Sequence, residues 1–340
     1  MRTLIVGIGA LGGVIAARLR ASGASVWLAT RTAESAARLK ESGLQVTGVG
    51  GAVSVDVAEV APVDEYRTRE AFELIVLATK AQDAIEVAPA LSGLLVAGGT
   101  LLPIQNGSVA ELLAERLGEE RVLGGLSNLG ATMTTPGLYE QRNAGNLLIG
   151  ELGGGESERV ERIRRWLGRG VEVRSTRNIR GAVWSKLLLN CSVTTIGAIA
   201  GQTMREYIAS PGGRELFDRT YDEALSVALA DGARPEPMLV DPIPPAWKGQ
   251  SIPGEAHDAW LEQIVRGYGD VKPSMLQDFQ RGRTTEIDFV NGYVVNVGQR
   301  HGVRTPANAA IVETVHAITR RQIAPAPALL GRVLAGHVSN

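Results

Sequence analysis

The chain opens on "TLIVGIGALGGVIAARLRASGASVWLATR", residues 3–31, and few stretches restrict a fold as strongly. Leu4, Ile5 and Val6 form a short continuous apolar run, as a strand buried on both faces requires. Gly7, Gly9 and Gly12 then follow in the spacing G-x-G-x-x-G where strand should turn into helix, and "VWLAT" reads as the next strand. In that setting the first glycine permits a tight turn, the second lets backbone approach a pyrophosphate, and the third allows close helix–strand packing. The helix N-terminus adds free N–H groups and the positive end of the helix dipole. Gly7, Ile8, Gly9, Ala10, Leu11 and Gly12 are therefore the expected phosphate-binding turn of a dinucleotide site. The spacing alone also fits an ordinary turn; the strand–turn–helix setting favours the nucleotide.

The end of the second strand bears on which dinucleotide. A site for the unphosphorylated cofactor usually carries Asp or Glu there, about 20 residues past the glycines, on the ribose hydroxyls. This chain has Ala29, Thr30 and Arg31, with no acid before Glu34. A guanidinium binds a 2′-phosphate through charge-assisted hydrogen bonds, where a carboxylate repels it. The expected cofactor is NADP(H), with Arg31 on its 2′-phosphate; a solvated strand-end arginine is the bland alternative.

"LIVLATK" (74–80), "GTLLPIQNG" (99–107) and "RVLGGLSNLGATM" (121–133) read as further strands with helical patterns between them. That alternation predicts an α/β, doubly wound parallel sheet, with ligands at the carboxyl ends of its strands. Thr79, Lys80, Asn106 and Gly107 fall at two such ends, although a solvated lysine and an Asn-Gly turn are routine. "TTPGLYEQRNAGNLLIGE" suggests two strands joined by a turn. "ESERVERIRRWLGRG" is an amphipathic helix with Val160, Ile163, Trp166 and Leu167 inward and its arginines interleaved with Glu156, Glu158 and Glu161. With 35 basic and 36 acidic residues, the formal net charge of -1 argues against a nucleic-acid partner. Cys191 is the only cysteine, so no internal disulfide forms, as suits a reducing cytosol. The glycine-broken N-terminus is not a signal peptide, and without a run of 18 apolar residues no membrane span is expected. The chain reads as soluble and cytoplasmic.

Strand signals fade after about residue 176, dividing the 340 residues into a nucleotide-binding domain, 1–175, and a mainly α-helical one, 176–340. "RGAVWSKLLLNCSVTTIGAIAG", "PGGRELFDRTYDEALSVALADGA", "TEIDFVNGYVVNVGQRHG" and "NAAIVETVHAITRRQI" have helical length and periodicity. The proline- and glycine-rich stretch 234–260 predicts an extended loop, long enough to suggest a role beside or over the site.

In "WSKLLLNCSVTT" (184–195), Lys186 sits among leucines. Residues four apart share a helix face, so Lys186, Asn190 and Thr194 form one polar stripe on an otherwise apolar helix. A buried stripe must find partners. Spacing alone leaves two readings open: internal ion pairing and hydrogen bonding, or a stripe lining a cleft against the nucleotide-binding half.

Together these stretches resemble the ketopantoate reductase (2-dehydropantoate 2-reductase) family over nearly the whole chain. "GIGALGG" with Arg31 resembles that family's NADP site; "LATKAQD" resembles the segment with its cofactor-contacting lysine, here Lys80. "QNG" resembles the segment whose asparagine, here Asn106, faces nicotinamide and substrate, and "WSKLLLN" is similar to the catalytic-lysine helix. "SMLQDFQRGRTTEIDFVNG" (274–292) is close to a family signature whose serine and glutamate match Ser274 and Glu286. The resemblance implies a Rossmann-type domain with a helical domain like the C-terminal one of 6-phosphogluconate dehydrogenase. It also implies reduction of a 2-oxo acid by NADPH in pantothenate biosynthesis. Lys186 would be the general acid, and Glu286 would orient it or bond substrate and cofactor. Asn106, Asn190, Thr194 and Ser274 would hold the substrate. A capping carboxylate after Thr284 or Thr285 is the structural alternative for Glu286. No metal is implied, and a homodimer stays open.

The family's lysine helix usually carries a second asparagine where this chain has Thr194, which touches the substrate side and not the cofactor side. Two rivals remain: a β-hydroxyacid dehydrogenase, which also uses Lys-x-x-x-Asn but lacks the 274–292 signature, and a non-catalytic NADP-binding sensor. A sensor has no need to keep Lys186, Asn190 and Glu286 together.

Overall fold

The computed structural model describes residues 1–68, 71–248 and 253–336, and the chain divides into two compact units, Met1–Ile179 and Arg180–Asn340.

In the first unit, β1 (Thr3–Val6) is fully buried and leads into α1 (Ala10–Ala21), then β2 (Val26–Thr30) and α2 (Ala33–Ser42). The chain continues through β3 (Leu44–Gly48), β4 (Val53–Val55), β5 (Val60–Pro62), β6 (Phe72–Leu77), α3 (Ala81–Ser92), β7 (Leu95–Pro103) and α4 (Val109–Leu117). Five of these strands form one all-parallel sheet in the order β5-β2-β1-β6-β7. β1 lies at its centre and the chain reverses direction there, so the carboxyl ends of β1, β2 and β6 open beside one another. The expected α/β class is what the chain forms.

The strands after 121 differ from expectation. Residues 121–133 are not one strand but β8 (Gly124–Ser127) and the start of β9 (Ala131–Thr135), which belong to different sheets. Asn143 ties the crossover: its Oδ1 accepts from the N–H groups of Gly130 and Gly145, and its Nδ2 donates to the Asn128 carbonyl. β10 (Leu138–Gln141) pairs with β9 and β3, whereas β11 (Leu147–Gly150) pairs with β8 and β12 (Val173–Ser175). The two strands expected within 134–151 exist, but they are not partners. Between β11 and β12, α5 (Glu158–Leu167) buries Val160, Ile163 and Leu167, and its arginines pair with glutamate as the sequence suggested.

The described residues of the second unit form helices joined by loops, with no strand among them. α6 (Ile179–Leu189), a π turn (Asn190–Thr194) and α7 (Thr195–Ala200) make one continuous helix. By length and mean hydropathy, 1.3, this helix passes as a membrane span, which the sequence reading did not anticipate. With 83% of that window buried inside the protein it is a core helix. It is followed by α8 (Met204–Ile208), α9 (Pro211–Ala230), α10 (Pro253–Tyr268), α11 (Ser274–Gln280), α12 (Asn291–His301), α13 (Pro306–Thr319) and α14 (Ala328–Leu334). Helices α11, α13 and α14 pack on α7, and α9 packs on the π turn.

The loop expected over 234–260 is only partly a loop. Its last part opens α10, where Trp260, Leu261 and Ile264 recur at helical spacing and are buried; its residues 249–252 lie outside the described residues. The remainder is tethered. Ser185 accepts from the Glu236 N–H at 2.7 Å, Tyr221 donates to the Pro242 carbonyl at 2.9 Å, and Trp260 to the Asp241 carbonyl at 2.8 Å.

Candidate active site

In the first unit, the fingerprint glycines each meet a different physical demand. Gly7 has φ +91°, a left-handed conformation that excludes a side chain at little cost only for glycine. A Cβ on Gly12 would lie 2.1 Å from the Gly7 carbonyl oxygen and 3.1 Å from Ala78 Cβ, so the close approach of helix and strand needs a bare backbone. At Gly9, the N-cap of α1, a Cβ would meet nothing within 4 Å. The open space there, at the N-terminus of a helix, fits the phosphates of a dinucleotide. Ile8, Ala10 and Leu11 complete the turn and keep partial exposure.

Tyr139 of β10, which nothing in the sequence singled out, holds this turn. Its hydroxyl donates to the Ile8 carbonyl at 3.1 Å, and its ring fills the space where a Cβ on Gly13 would stand. Burial pushes its phenol up to about 12, so it remains a donor.

Arg31 follows β2 and is largely exposed, with its guanidinium 2.7 Å from Asp83 in the first turn of α3. It is solvated, as the bland alternative has it, but not alone: an acid does stand at this corner, delivered from α3 instead of the strand end. Lys80 is the N-cap of α3, half-buried at the end of β6. Gln105 binds the carbonyls of Leu77 and Thr79 through Nε2, at 2.9 and 3.1 Å, which fixes that end beside half-buried Asn106. The side-chain oxygens Gln82 Oε1, Gln105 Oε1 and Ser108 Oγ are buried without a protein partner.

In the second unit, Lys186, Asn190 and Thr194 are the only residues from 181 to 200 that are not fully buried. The stripe read from the sequence is thus the one accessible line on a buried helix. Burial lowers the Lys186 ammonium from 10.5 to about 8, and the Glu286 carboxylate, close enough to attract it, opposes that shift. Glu286 is half-buried and precedes a short 3-10 turn, Ile287–Phe289, to which its carboxylate makes no capping bond; the capping alternative fails. Thr194 Oγ1 donates to the Asn190 carbonyl at 2.9 Å, so its one proton is engaged and its hydroxyl can offer a ligand only an acceptor. Ser274 begins α11 and is exposed. Cys191, one residue past Asn190, points into the core, where burial drives its thiol well above the ordinary range; it is inert. Among the described residues no cluster of His, Cys, Asp and Glu suits a metal.

Residues 3–154 match the family model described as ketopantoate reductase PanE/ApbA, and residues 178–319 match the model of that family's C terminus. A 2-dehydropantoate 2-reductase of Halobacterium salinarum is 27% identical over 94% of this chain and 99% of its own. Another from Pyrococcus horikoshii is 29% identical over 91% and 94%. Among solved structures, a ketopantoate reductase from Ralstonia eutropha superposes with a TM-score of 0.78 at 24% identity, covering 95% of this chain and 99% of that one. D-mandelate dehydrogenase with NADH and anilino(oxo)acetate does so at 0.79 and 23%, over 94% and 99%. These structural likenesses speak for the fold. With both halves matched in order, the chain belongs to the ketopantoate reductase family and is an oxidoreductase acting on CH–OH groups.

Proposed function

We propose that the chain reduces the ketone of a small 2-oxo acid to a 2-hydroxy acid, with 2-dehydropantoate as the leading substrate and NADPH as reductant. The observation that carries this reading is the desolvated ammonium of half-buried Lys186, within the attraction of the Glu286 carboxylate and in line with Asn190 and Thr194. When bound, the reduced nicotinamide supplies the hydride. Gly9 and the first N–H groups of α1 would hold its pyrophosphate, Arg31 its 2′-phosphate, and Lys80 and Asn106 the part nearer the reacting end.

As the carbonyl carbon gains hydride, negative charge builds on its oxygen. A desolvated ammonium both stabilises that charge and donates the proton that completes the hydroxyl. With a pKa of about 8, Lys186 is charged at neutral pH yet gives up its proton more readily than a solvated lysine. Glu286 keeps the ammonium charged and oriented, while the Asn190 amide and the Ser274 hydroxyl serve the substrate's remaining polar groups.

A second reading concerns the side chain of the oxo acid. Thr194 has its proton committed to the Asn190 carbonyl and offers a methyl where the family has an amide donor. This favours an oxo acid with an apolar or aromatic side chain, and D-mandelate dehydrogenase shares the fold. An NADPH-oxidation screen over 2-dehydropantoate, its analogue without the hydroxyl, and an aryl 2-oxo acid separates these outcomes. Turnover is expected with at least one of them, and Lys186→Ala should lower it by roughly 10²–10⁴-fold while NADPH still binds. Equal turnover by Lys186→Ala, or none with any 2-oxo acid, refutes the assignment.

A further inference from the structure

Asn291, next to last in the stretch 274–292, is fully buried, yet the chemistry above gives it nothing to do. Its partners lead back to the lysine helix. In a regular α-helix the Thr195 N–H would bond the Cys191 carbonyl; here it bonds the Asn190 carbonyl, one residue further back, which is the π turn. The Cys191 carbonyl thereby loses its helical donor, and Asn291 Nδ2 takes that place at 3.3 Å. The neighbouring Ser192 carbonyl accepts from Tyr207 Oη at 2.8 Å. Thr195 Oγ1 lies 3.0 Å from the Asn190 carbonyl and 2.9 Å from Asn291 Oδ1. Since Thr194 already donates to Asn190, the single proton of Thr195 goes to Asn291. Behind it, Asn291 Nδ2 also donates to Asn308 Oδ1 at 2.9 Å, and Asn308 to Glu223 at 2.9 Å. The Glu223 carboxylate in turn accepts the N–H groups of Ala307 and Asn308 at the start of α13.

The extra residue has a geometric consequence. On a regular helix, positions i, i+4 and i+8 drift by about 80°, so Lys186 and Thr194 would point apart. One residue accommodated in between makes i+8 behave roughly as i+7, which lies within about 20° of i. That is why Lys186, Asn190 and Thr194 form one accessible line with every neighbour buried.

We propose that Asn291 is a positioning residue: with Thr195 as its arm, it clamps the π turn and so keeps Thr194 in register with Lys186 for the substrate. The proposal rests on the reading of that stripe as substrate-facing. The experiment compares full-length Asn291→Ala, Thr195→Val and Thr195→Ser. It follows amide hydrogen exchange at residues 194–196, kcat and KM for the oxo acid found active, and NADPH affinity. Asn291→Ala and Thr195→Val should exchange faster and raise the oxo-acid KM by about 10–100-fold, with NADPH affinity kept within about twofold. Thr195→Ser, which restores the hydroxyl, should return both readings to near the wild-type values. Folded variants with unchanged exchange, faster exchange with unchanged KM, or a serine variant as impaired as the valine one would each overturn it. Should neither disruptive variant fold, the wild-type chain decides: exchange at 194–196 must slow when oxo acid and NADP+ bind, and unchanged exchange overturns the clamp. Wild-type protein inactive on every 2-oxo acid would defeat the functional reading alone, because exchange in the variants still reports on the turn.

Discussion

Lys186 is a charge in apolar company, and two opposed effects set its behaviour. Burial lowers its pKa to about 8, and the attraction of Glu286 keeps the shift from going further. Below that value the ammonium is present and can donate, so kcat/KM for reduction should fall as pH rises through about 8. Glu286→Gln removes the attraction and should move that alkaline limb to lower pH; a limb that stays in place takes Lys186 out of the proton transfer. The linked stability runs the other way: between about 8 and 10.5 the unfolded chain binds more protons than the folded one, so the contribution of Lys186 to stability rises with pH in that window. Asp83 makes a comparable case on the cofactor side. Its carboxylate pairs with Arg31 and would repel a 2′-phosphate bound by the same guanidinium. Asp83→Asn should therefore tighten NADPH about 3–10-fold and leave NADH nearly unchanged, more so at low salt, as fluorescence titration would read. The sequence could show Arg31 but not Asp83's part in the corner, because the two stand 52 positions apart and only the parallel sheet brings the first turn of α3 within reach of the residue after β2.

Among the elements, the fingerprint turn was legible because its demands are local. Gly7 and Gly12 answer to backbone a few residues away or to the strand beside them, and Gly9 to open space at a helix N-terminus. Two substitutions separate its tasks. Gly9→Ala adds a methyl to open space, so the melting temperature should hold while NADPH affinity falls at least about tenfold. Gly12→Ala drives a methyl into the Gly7 carbonyl and should lose about 1–3 kcal/mol of stability as well, visible in a thermal melt. If Gly9→Ala binds NADPH like the wild type, the open face is not where the phosphates lie. The π turn was not legible. Periodicity templates recognise 3.6 residues per turn, and the donors that stabilise the extra residue come from Asn291 and Tyr207, on α12 and α8. The strand pattern after 121 misled for a related reason: apolar alternation marks β8 through β11 as strands but does not say which sheet each joins. That depends on Asn143, a loop residue, binding across to Asn128 and Gly130.

Across the chain, the residues assigned to the cofactor lie mostly in Met1–Ile179 and those assigned to the substrate mostly in Arg180–Asn340, with Asn106 of the first unit and Glu286 of the second given to both. The stripe and its clamp are built wholly within the second unit, and the glycine turn with its Tyr139 brace wholly within the first. Such separation makes a quantitative claim. Arg31 bonds Asp83, and Thr194 bonds Asn190; they have no partner in common. Substitutions without shared partners combine with a coupling of at most about 0.5 kcal/mol. Arg31→Ala should act on the NADPH KM and Thr194→Ala on the oxo-acid KM. The loss in kcat/KM of the double variant should then equal the product of the single losses within about twofold. A larger departure would mean that the adenosine end of the cofactor and the substrate side chain communicate, and the assignment of one task to each unit would have to be abandoned.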